Sequence, residues 1–244
     1  EEAFFNHKET IFNDFEKEVL LPHKMSQLGP FIGKGDVNKD GLEDFYVGGA
    51  AGQSGELYLQ TSNGFNLSPN QPWESNSSNE ELGSAFFDVD KDGDLDLYVV
   101  CGSNENLAVT DKMYLNDGKG NFTLSQYGEL GMISGQAVIP FDYDHDGWMD
   151  LIVPGRQVVG EYPKAPKSII YRNEKGTLMD VTKTIAPEFE FAGMITDVLV
   201  FDYDKDGDED FIAVGEWMGV SFFNNHKGNF TLDTTQVEMA STIG

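Results

Sequence analysis

The stretch from Asp88 to Val100, DVDKDGDLDLYVV, sets five aspartates within nine residues directly against an apolar run. A strand bound for a protein interior cannot carry that much like charge at its mouth unless something answers it. Three relatives of the stretch recur: DVNKDGLEDFYVGG from Asp36, DYDHDGWMDLIVPG from Asp142 and DYDKDGDEDFIAVG from Asp202. Successive starts are 52, 54 and 60 residues apart. A period of that size marks a chain assembled from one supersecondary unit used several times.

A second signal keeps the same period. YLQTSNGFNL, YLNDGKGNFTL, IYRNEKGTLMD and FFNNHKGNFTL each read as strand, turn, strand, with Gly64, Gly120, Gly176 and Gly228 at the turns. Glycine supplies the positive φ that a tight hairpin needs. Ahead of each acidic loop lies a further β-like run: GPFIGKG, GSAFF, GQAVIPF and ITDVLVF. Each unit therefore has strand A, the acidic loop, strand B, and a hairpin of strands C and D. The B strands are apolar at nearly every position, which predicts burial on both faces. Abundant Gly (27), Phe (18) and Tyr (9) fit an all-β chain of many short strands.

Four strands in 50–60 residues predict a β-propeller built of four-stranded blades; a linear β-solenoid, with its shorter usual period, is the alternative. The four units fall at about 25–70, 80–127, 134–183 and 193–234. Residues 1–24 form an N-terminal segment that reads as part of a preceding blade, and residues 235–244 as the start of a following one or a tail.

The loops obey D-x-[DN]-x-D-G-x-x-D. Alternate side chains of a short loop curled around an ion point inward, the glycine permits the bend, and the carbonyl of position 7 turns in. That set supplies the six to eight hard oxygens Ca²⁺ prefers. Loop one offers Asp36, Asn38, Asp40 and Asp44 with the Leu42 carbonyl; loop two Asp88, Asp90, Asp92 and Asp96 with that of Asp94. Loop three offers Asp142, Asp144, Asp146 and Asp150 with the Trp148 carbonyl; loop four Asp202, Asp204, Asp206 and Asp210 with that of Asp208. About four Ca²⁺ ions, one per loop, are expected, and they would bring the formal charge from −26 to about −18. An EF-hand fails the test: position 12 is Val47, Val99, Val153 or Ala213 where a bidentate Glu is required. A polar turn without an ion would explain one copy better than four. Mg²⁺ fits less well, because it dehydrates reluctantly and wants strict octahedral geometry. Lys39, Lys91, His145 and Lys205, at position 4, should point outward, leaving His145 solvated.

With 42 acidic and 16 basic residues, the chain would be repelled by nucleic acid and by anionic membrane surfaces. The single cysteine, Cys101, excludes an intrachain disulfide and reads as a buried, inert thiol. No apolar run of about 18 residues is present.

The loops and their spacing resemble the FG-GAP or VCBS repeats of integrin-α-like β-propellers, over roughly residues 25–235. LLPHKMSQLGP before the first loop and VGEWM after the fourth are similar to bacterial secreted VCBS-repeat proteins and to the cartilage acidic proteins of animals; no ASPIC/UnbV segment follows here. The resemblance implies a propeller of about seven blades, of which four complete ones are visible, although a ring of four or five is also open. It implies that the acidic loops occupy one face and that the B–C and D–A links occupy the other, where partners bind.

A non-catalytic, calcium-stabilised binding or adhesion module is therefore expected, extracellular or at the cell surface, with a bacterial outer surface as the setting. Its partner would be a protein or a glycan, not nucleic acid. A polysaccharide lyase or hydrolase is the enzymatic alternative, but no isolated carboxylate pair or nucleophile motif supports it. A structural subunit of a larger outer-surface complex is the third. Trp73, Arg156, Tyr162 and Trp217 are the candidate contact residues, because Trp, Tyr and Arg dominate binding hot spots. Packing of Trp73 and Trp217 between blades is the competing reading. Asn66, Asn76, Asn121 and Asn229 open N-x-[ST] sequons and mark surface positions only.

Overall fold

Each acidic loop joins the first two strands of a four-stranded antiparallel sheet in the computed structural model, which describes residues 5–75, 77–102, 104, 110–125, 130, 131 and 133–235. Sheet one comprises β1 (Ile32–Gly35), β2 (Asp44–Val47), β3 (Glu56–Thr61) and β4 (Gly64–Leu67). Sheet two comprises β5 (Glu80–Phe87), β6 (Asp96–Gly102), β7 (Lys112–Asn116) and β8 (Phe122–Leu124). In the third unit a short pair, β9 (Ser134–Gly135) and β12 (Gly155–Gln157), sits beside β10 (Ile139–Phe141), β11 (Asp150–Val153), β13 (Ile169–Glu174) and β14 (Thr177–Asp180). Sheet four comprises β15 (Met194–Val200), β16 (Phe211–Glu216), β17 (Ser221–Asn225) and β18 (Phe230–Leu232). All four are simple meanders, first strand to fourth. The one α-helix among the described residues, α1 (Thr182–Ile185), is a single turn. The protein is all-β, with sheets of the kind that make propeller blades.

The extra pair in the third unit has a local cause. In sheet two, β6 runs unbroken to Gly102 against β5. In the third unit Pro154 stands between β11 and β12; it has no N–H to give, so the ladder divides there.

The sheets stack face to face, and three buried clusters fill the gaps. Tyr46, Leu57, Leu97, Val99 and Tyr114 pack between sheets one and two around Trp73. Tyr98, Val100, Leu151, Val153 and Ile169 lie between sheets two and three, and Ile152, Ile170, Ile195, Phe211 and Phe223 between three and four. The A strands are neighbours in turn, β1 with β5, β5 with β10, and β10 with β15. Burial of the B strands follows this stacking. Every residue of β6 and β11 is buried, whereas Val214 of β16 is 37% exposed, because the fourth sheet has no neighbour on its outer side. Leu199 and Phe201 share that exposure, as do Ile32 and Leu67 in sheet one. No buried cluster joins the fourth sheet to the first among the described residues.

The N-terminal segment corrects the sequence reading. Residues 5–31 carry no strand and add none to the four sheets. They form a strap along the edge of the sheets opposite the acidic loops. Lys8 N–H donates to Gln53 Oε1 (2.8 Å) in the first B–C link. Asn104 Nδ2, in the second, donates to Asp14 Oδ1 and Glu18 Oε2, both at 2.9 Å. Tyr162 N–H, in the third, donates to Glu18 Oε1 (3.0 Å), and His23 lies 3.8 Å from Glu216 at the end of β16. Asp14, 1% exposed, also accepts from Met25 N–H, Ser26 N–H and Ser26 Oγ, which folds the strap back on itself. Residues 236–244 lie outside the described residues.

Candidate metal centres

The acidic loops are four copies of one hydrogen-bond frame. The glycine at position 6 donates to the position 1 carboxylate: Gly41 to Asp36 (2.9 Å), Gly93 to Asp88 (3.0 Å), Gly147 to Asp142 (2.9 Å) and Gly207 to Asp202 (3.1 Å). The N–H of position 7, on Leu42, Asp94, Trp148 or Asp208, donates to position 5, on Asp40, Asp92, Asp146 or Asp206, at 2.8–2.9 Å. Position 5 donates in turn to position 3, on Asn38, Asp90, Asp144 or Asp204. The bend uses left-handed backbone at positions 4 and 6, and position 4 adopts it without being glycine: φ is 59° at Lys39, 62° at Lys91, 57° at His145 and 66° at Lys205.

The aspartate at position 9 opens the B strand in the first three units, stands just before it in the fourth, and locks the loop to its sheet. Asp44, Asp96, Asp150 and Asp210 are at most 1% exposed. One oxygen of each accepts from the position 2 N–H, of Val37, Val89, Tyr143 or Tyr203. The other accepts from strand C, from the N–H of Gln60, Asn116, Asn173 or Asn225 at 2.7–2.9 Å. Burial, with the neighbouring carboxylates adding to it, pushes the Asp96 and Asp150 carboxyls up to about 7 and raises those of Asp44 and Asp210. The arrangement is short of positive charge.

The carboxylates also converge. Oxygens of Asp88, Asp90 and Asp96 lie within 4.8 Å of one another, as do those of Asp142, Asp144 and Asp146, and of Asp202, Asp204 and Asp206. Loop one, with Asn38 at position 3, does not gather three carboxylates so closely. Asp88 Oδ1 and Asp142 Oδ1 are buried with no hydrogen-bond partner. A buried carboxylate oxygen left unpaired is costly, and a cation is the partner that removes the cost. Hard oxygen donors, crowded carboxylates and two orphaned atoms fit a dication of the calcium type. Loop three also holds a protein cation: Arg172 reaches Asp144 at 3.0 Å and Asp146 at 3.4 Å.

Two links between consecutive loops escaped the sequence reading. The position 4 side chain reaches the next loop near position 7: Lys39 pairs with Asp94, Lys91 Nζ sits 4.2 Å over the Trp148 ring, and His145 Nε2 lies 3.2 Å from the Gly207 carbonyl and 3.6 Å from Asp208. His145 is half-exposed, yet it spans two loops rather than standing free. A buried asparagine of strand C forms the second link. Asn116 Nδ2 donates to Val37 O and Leu95 O, Asn173 Nδ2 to Val89 O and Met149 O, and Asn225 Nδ2 to Tyr143 O and Glu209 O. Each asparagine thus ties its own loop to the loop before it. Its Oδ1 accepts from the hairpin glycine, Gly120, Gly176 or Gly228. The signal was present: asparagine stands at the same place in three units, and Gln60 stands there in the first.

The candidate contact residues divide. Trp73 is 1% exposed, edge-on to Tyr46 (5.1 Å) and Tyr114 (5.2 Å) between sheets one and two, so it is a core residue and touches no partner. Arg156, Tyr162 and Trp217 come together on the strap face around Glu216, a residue the sequence reading quoted in VGEWM without nominating. Arg156 is itself buried and ion-paired to Glu216, against its expected role as an exposed contact. Cys101 is buried, and burial pushes its thiol well above the ordinary range. Asn66, Asn121 and Asn229 are exposed; Asn76 lies outside the described residues.

No helix among the described residues is long and apolar enough to cross a membrane. A search of curated proteins finds no match. The model of the FG-GAP-like repeat matches residues 36–99 and again 88–153. The two spans cover the first three acidic loops with the B strands that follow them, and loop four repeats the same hydrogen-bond frame. Residues 36–153 thus carry two overlapping repeats of the FG-GAP-like family.

Proposed function

We propose that this chain is a non-catalytic, calcium-stabilised β-propeller module that works outside the cell or on its surface, bound to a protein or glycan through the face opposite its acidic loops. The observation that carries the reading is the fourfold loop frame, with the unpartnered buried oxygens of Asp88 and Asp142 at two of its centres. Calcium would be held by Asp36, Asn38, Asp40 and Asp44 in loop one, and by Asp88, Asp90, Asp92 and Asp96 in loop two. In loop three Asp142, Asp144, Asp146 and Asp150 would serve, and in loop four Asp202, Asp204, Asp206 and Asp210. The ion supplies the positive charge that lets a crowded carboxylate loop sit at the mouth of a buried strand. Its role is structural. Extracellular modules bind Ca²⁺ with Kd of about 10⁻⁴–10⁻³ M, a range that fills outside cells.

The exposed apolar faces of sheets one and four support a further part of the reading: these four blades belong to a larger propeller of about seven, whose neighbours cover Ile32 and Leu67 at one end and Leu199 and Phe201 at the other. Thermal melting tests the calcium reading. At about ten times Kd each site adds roughly 1.4 kcal/mol. Removing calcium with a chelator should then lower Tm by roughly 10–20 °C if all four loops load. Superimposable melts with and without calcium would remove the basis of the proposal.

A further inference from the structure

The strap face contains two features that the scaffold does not require. The first is Trp217. It is 73% exposed, and it holds left-handed backbone, φ 57°, in the turn after β16, where glycine or asparagine would be unstrained. Its indole is nonetheless fixed: Nε1 donates to Tyr162 Oη at 2.7 Å, and the two rings meet edge-on at 6.4 Å. An exposed aromatic ring, held rigid in a strained turn, is a preorganised flat surface. Beside it lies the Glu216 carboxylate, with Tyr162 Oη 3.4 Å from one oxygen and His23 3.8 Å from the other. Glu216 is set by Arg156, which is 2% exposed, donates from Nε to Gln136 Oε1 (3.1 Å), and keeps Nη1 buried without a partner.

The second feature is a cavity of about 550 Å³ between the strap and the third B–C link, lined by Phe12, Asp14, Glu18, Asn104, Val159 and Gly160 among others. Its size is that of a small-ligand site. Asn104, 8% exposed, spends its amide donor on Asp14 and Glu18, and its Oδ1 is buried with no partner. Tyr162 connects the two features, since its N–H donates to Glu18 at the cavity wall while its hydroxyl holds Trp217.

We propose that Trp217 and the Asn104 cavity together bind a neutral glycan, the indole taking the C–H face of one sugar ring and the cavity the hydroxyls of the next. This rests on the binding-module reading above and names its ligand class. Hydroxyl-rich, uncharged ligands suit the site. At the cavity wall Asp14 and Glu18 already accept protein donors, whereas the buried Asn104 Oδ1 is an acceptor still without one, which a sugar hydroxyl can supply. Lys17, also in the lining, can donate to a hydroxyl, and a chain of net charge −26 repels anionic polysaccharide.

The test uses the full, calcium-loaded chain and a panel of neutral gluco-, manno-, galacto- and xylo-oligosaccharides, with oligouronates and glucosamine oligomers as charged arms. Binding is read by calorimetry and tryptophan fluorescence. The expected result is binding of at least one neutral oligosaccharide, weakened tenfold or more in Trp217→Gly, with the Tm of that variant unchanged or raised because the strain is relieved. Failure of every neutral sugar, binding confined to a charged arm, affinity unaltered in Trp217→Gly, or a Tm lowered by several degrees in that variant would each overturn the proposal. Calcium-dependent melting that persists while all sugars fail would overturn this site alone and leave the module reading standing.

Discussion

The loop at Asp142 and the link at Tyr162 leave opposite ends of the same strand, β11, and they are built on different rules. At Asp142, every hydrogen bond of the frame is repeated in three other loops, and the donor is at most seven residues from its acceptor or on the adjoining strand C. At Tyr162, the partners are Glu18 and Trp217, 144 and 55 residues away. No other unit repeats that arrangement among the described residues. A face assembled from one repeated local frame is free to serve the scaffold, and the face assembled from unique distant contacts is free to specialise. Charge is handled differently as well. The loop face gathers carboxylates that need a cation, whereas Glu81, near the strap face, is 4% exposed and lies against the Tyr46 hydroxyl (2.7 Å) and the Gly49 N–H (3.0 Å), its carboxyl pushed up to about 7 by burial.

The sharpest way to break the comparison is at the inter-loop latch. Asn173→Ala removes two donors to buried carbonyls and an acceptor for Gly176 N–H, and should cost about 3 kcal/mol, or roughly 10 °C in Tm. Gln60→Ala, at the equivalent position of the first unit, where only the backbone N–H bonds to Asp44, should cost under about 1 kcal/mol. Equal losses would show that the latch is not what couples neighbouring blades.

The Glu81 carboxyl sharpens the contrast in charge. Its folded value, about 7, lies above the ordinary 4.5, so the folded state binds the extra proton. Its contribution is fully present below pH 4.5 and is lost as pH rises through about 7, with a magnitude on the order of 3 kcal/mol. In saturating calcium, Glu81→Gln should flatten that part of the stability–pH curve. A curve with the same slope in variant and wild type would assign the dependence elsewhere.

The smallest effect is expected where the loop face meets solvent. The Lys39–Asp94 pair is half-exposed on its lysine side, so Lys39→Ala should shift the denaturation midpoint little, and less still at high salt. A large shift, read by denaturant melts at two salt concentrations, would make these bridges structural supports rather than surface pairs.

How much of this was legible follows from the same division. The loops, the B strands and the hairpin glycines declare themselves because their determinants lie within about ten residues and recur. Asn116, Asn173 and Asn225 could have been found, since they stand at one place in three repeats, but an asparagine beside a turn glycine reads as ordinary turn chemistry. Trp73 stayed open between contact and packing because an aromatic residue in a polar link gives no sign of which neighbour covers it; Tyr114, which does, lies on another sheet. The strap was misassigned for a related reason: Asp14 and Glu18 look like surface acids until Asn104, 90 and 86 residues away, is brought against them. Pro154 was visible in the sequence, yet that it divides a ladder becomes clear only once β9 lies opposite.

Direct counting of bound calcium tests the central claim most simply. Equilibrium dialysis against radioactive calcium at a few millimolar, with Asp142→Ala alongside wild type, should give about four ions per chain and one fewer in the variant. A stoichiometry near zero in wild type, or the same number in both proteins, would contradict the assignment of the acidic loops as cation sites.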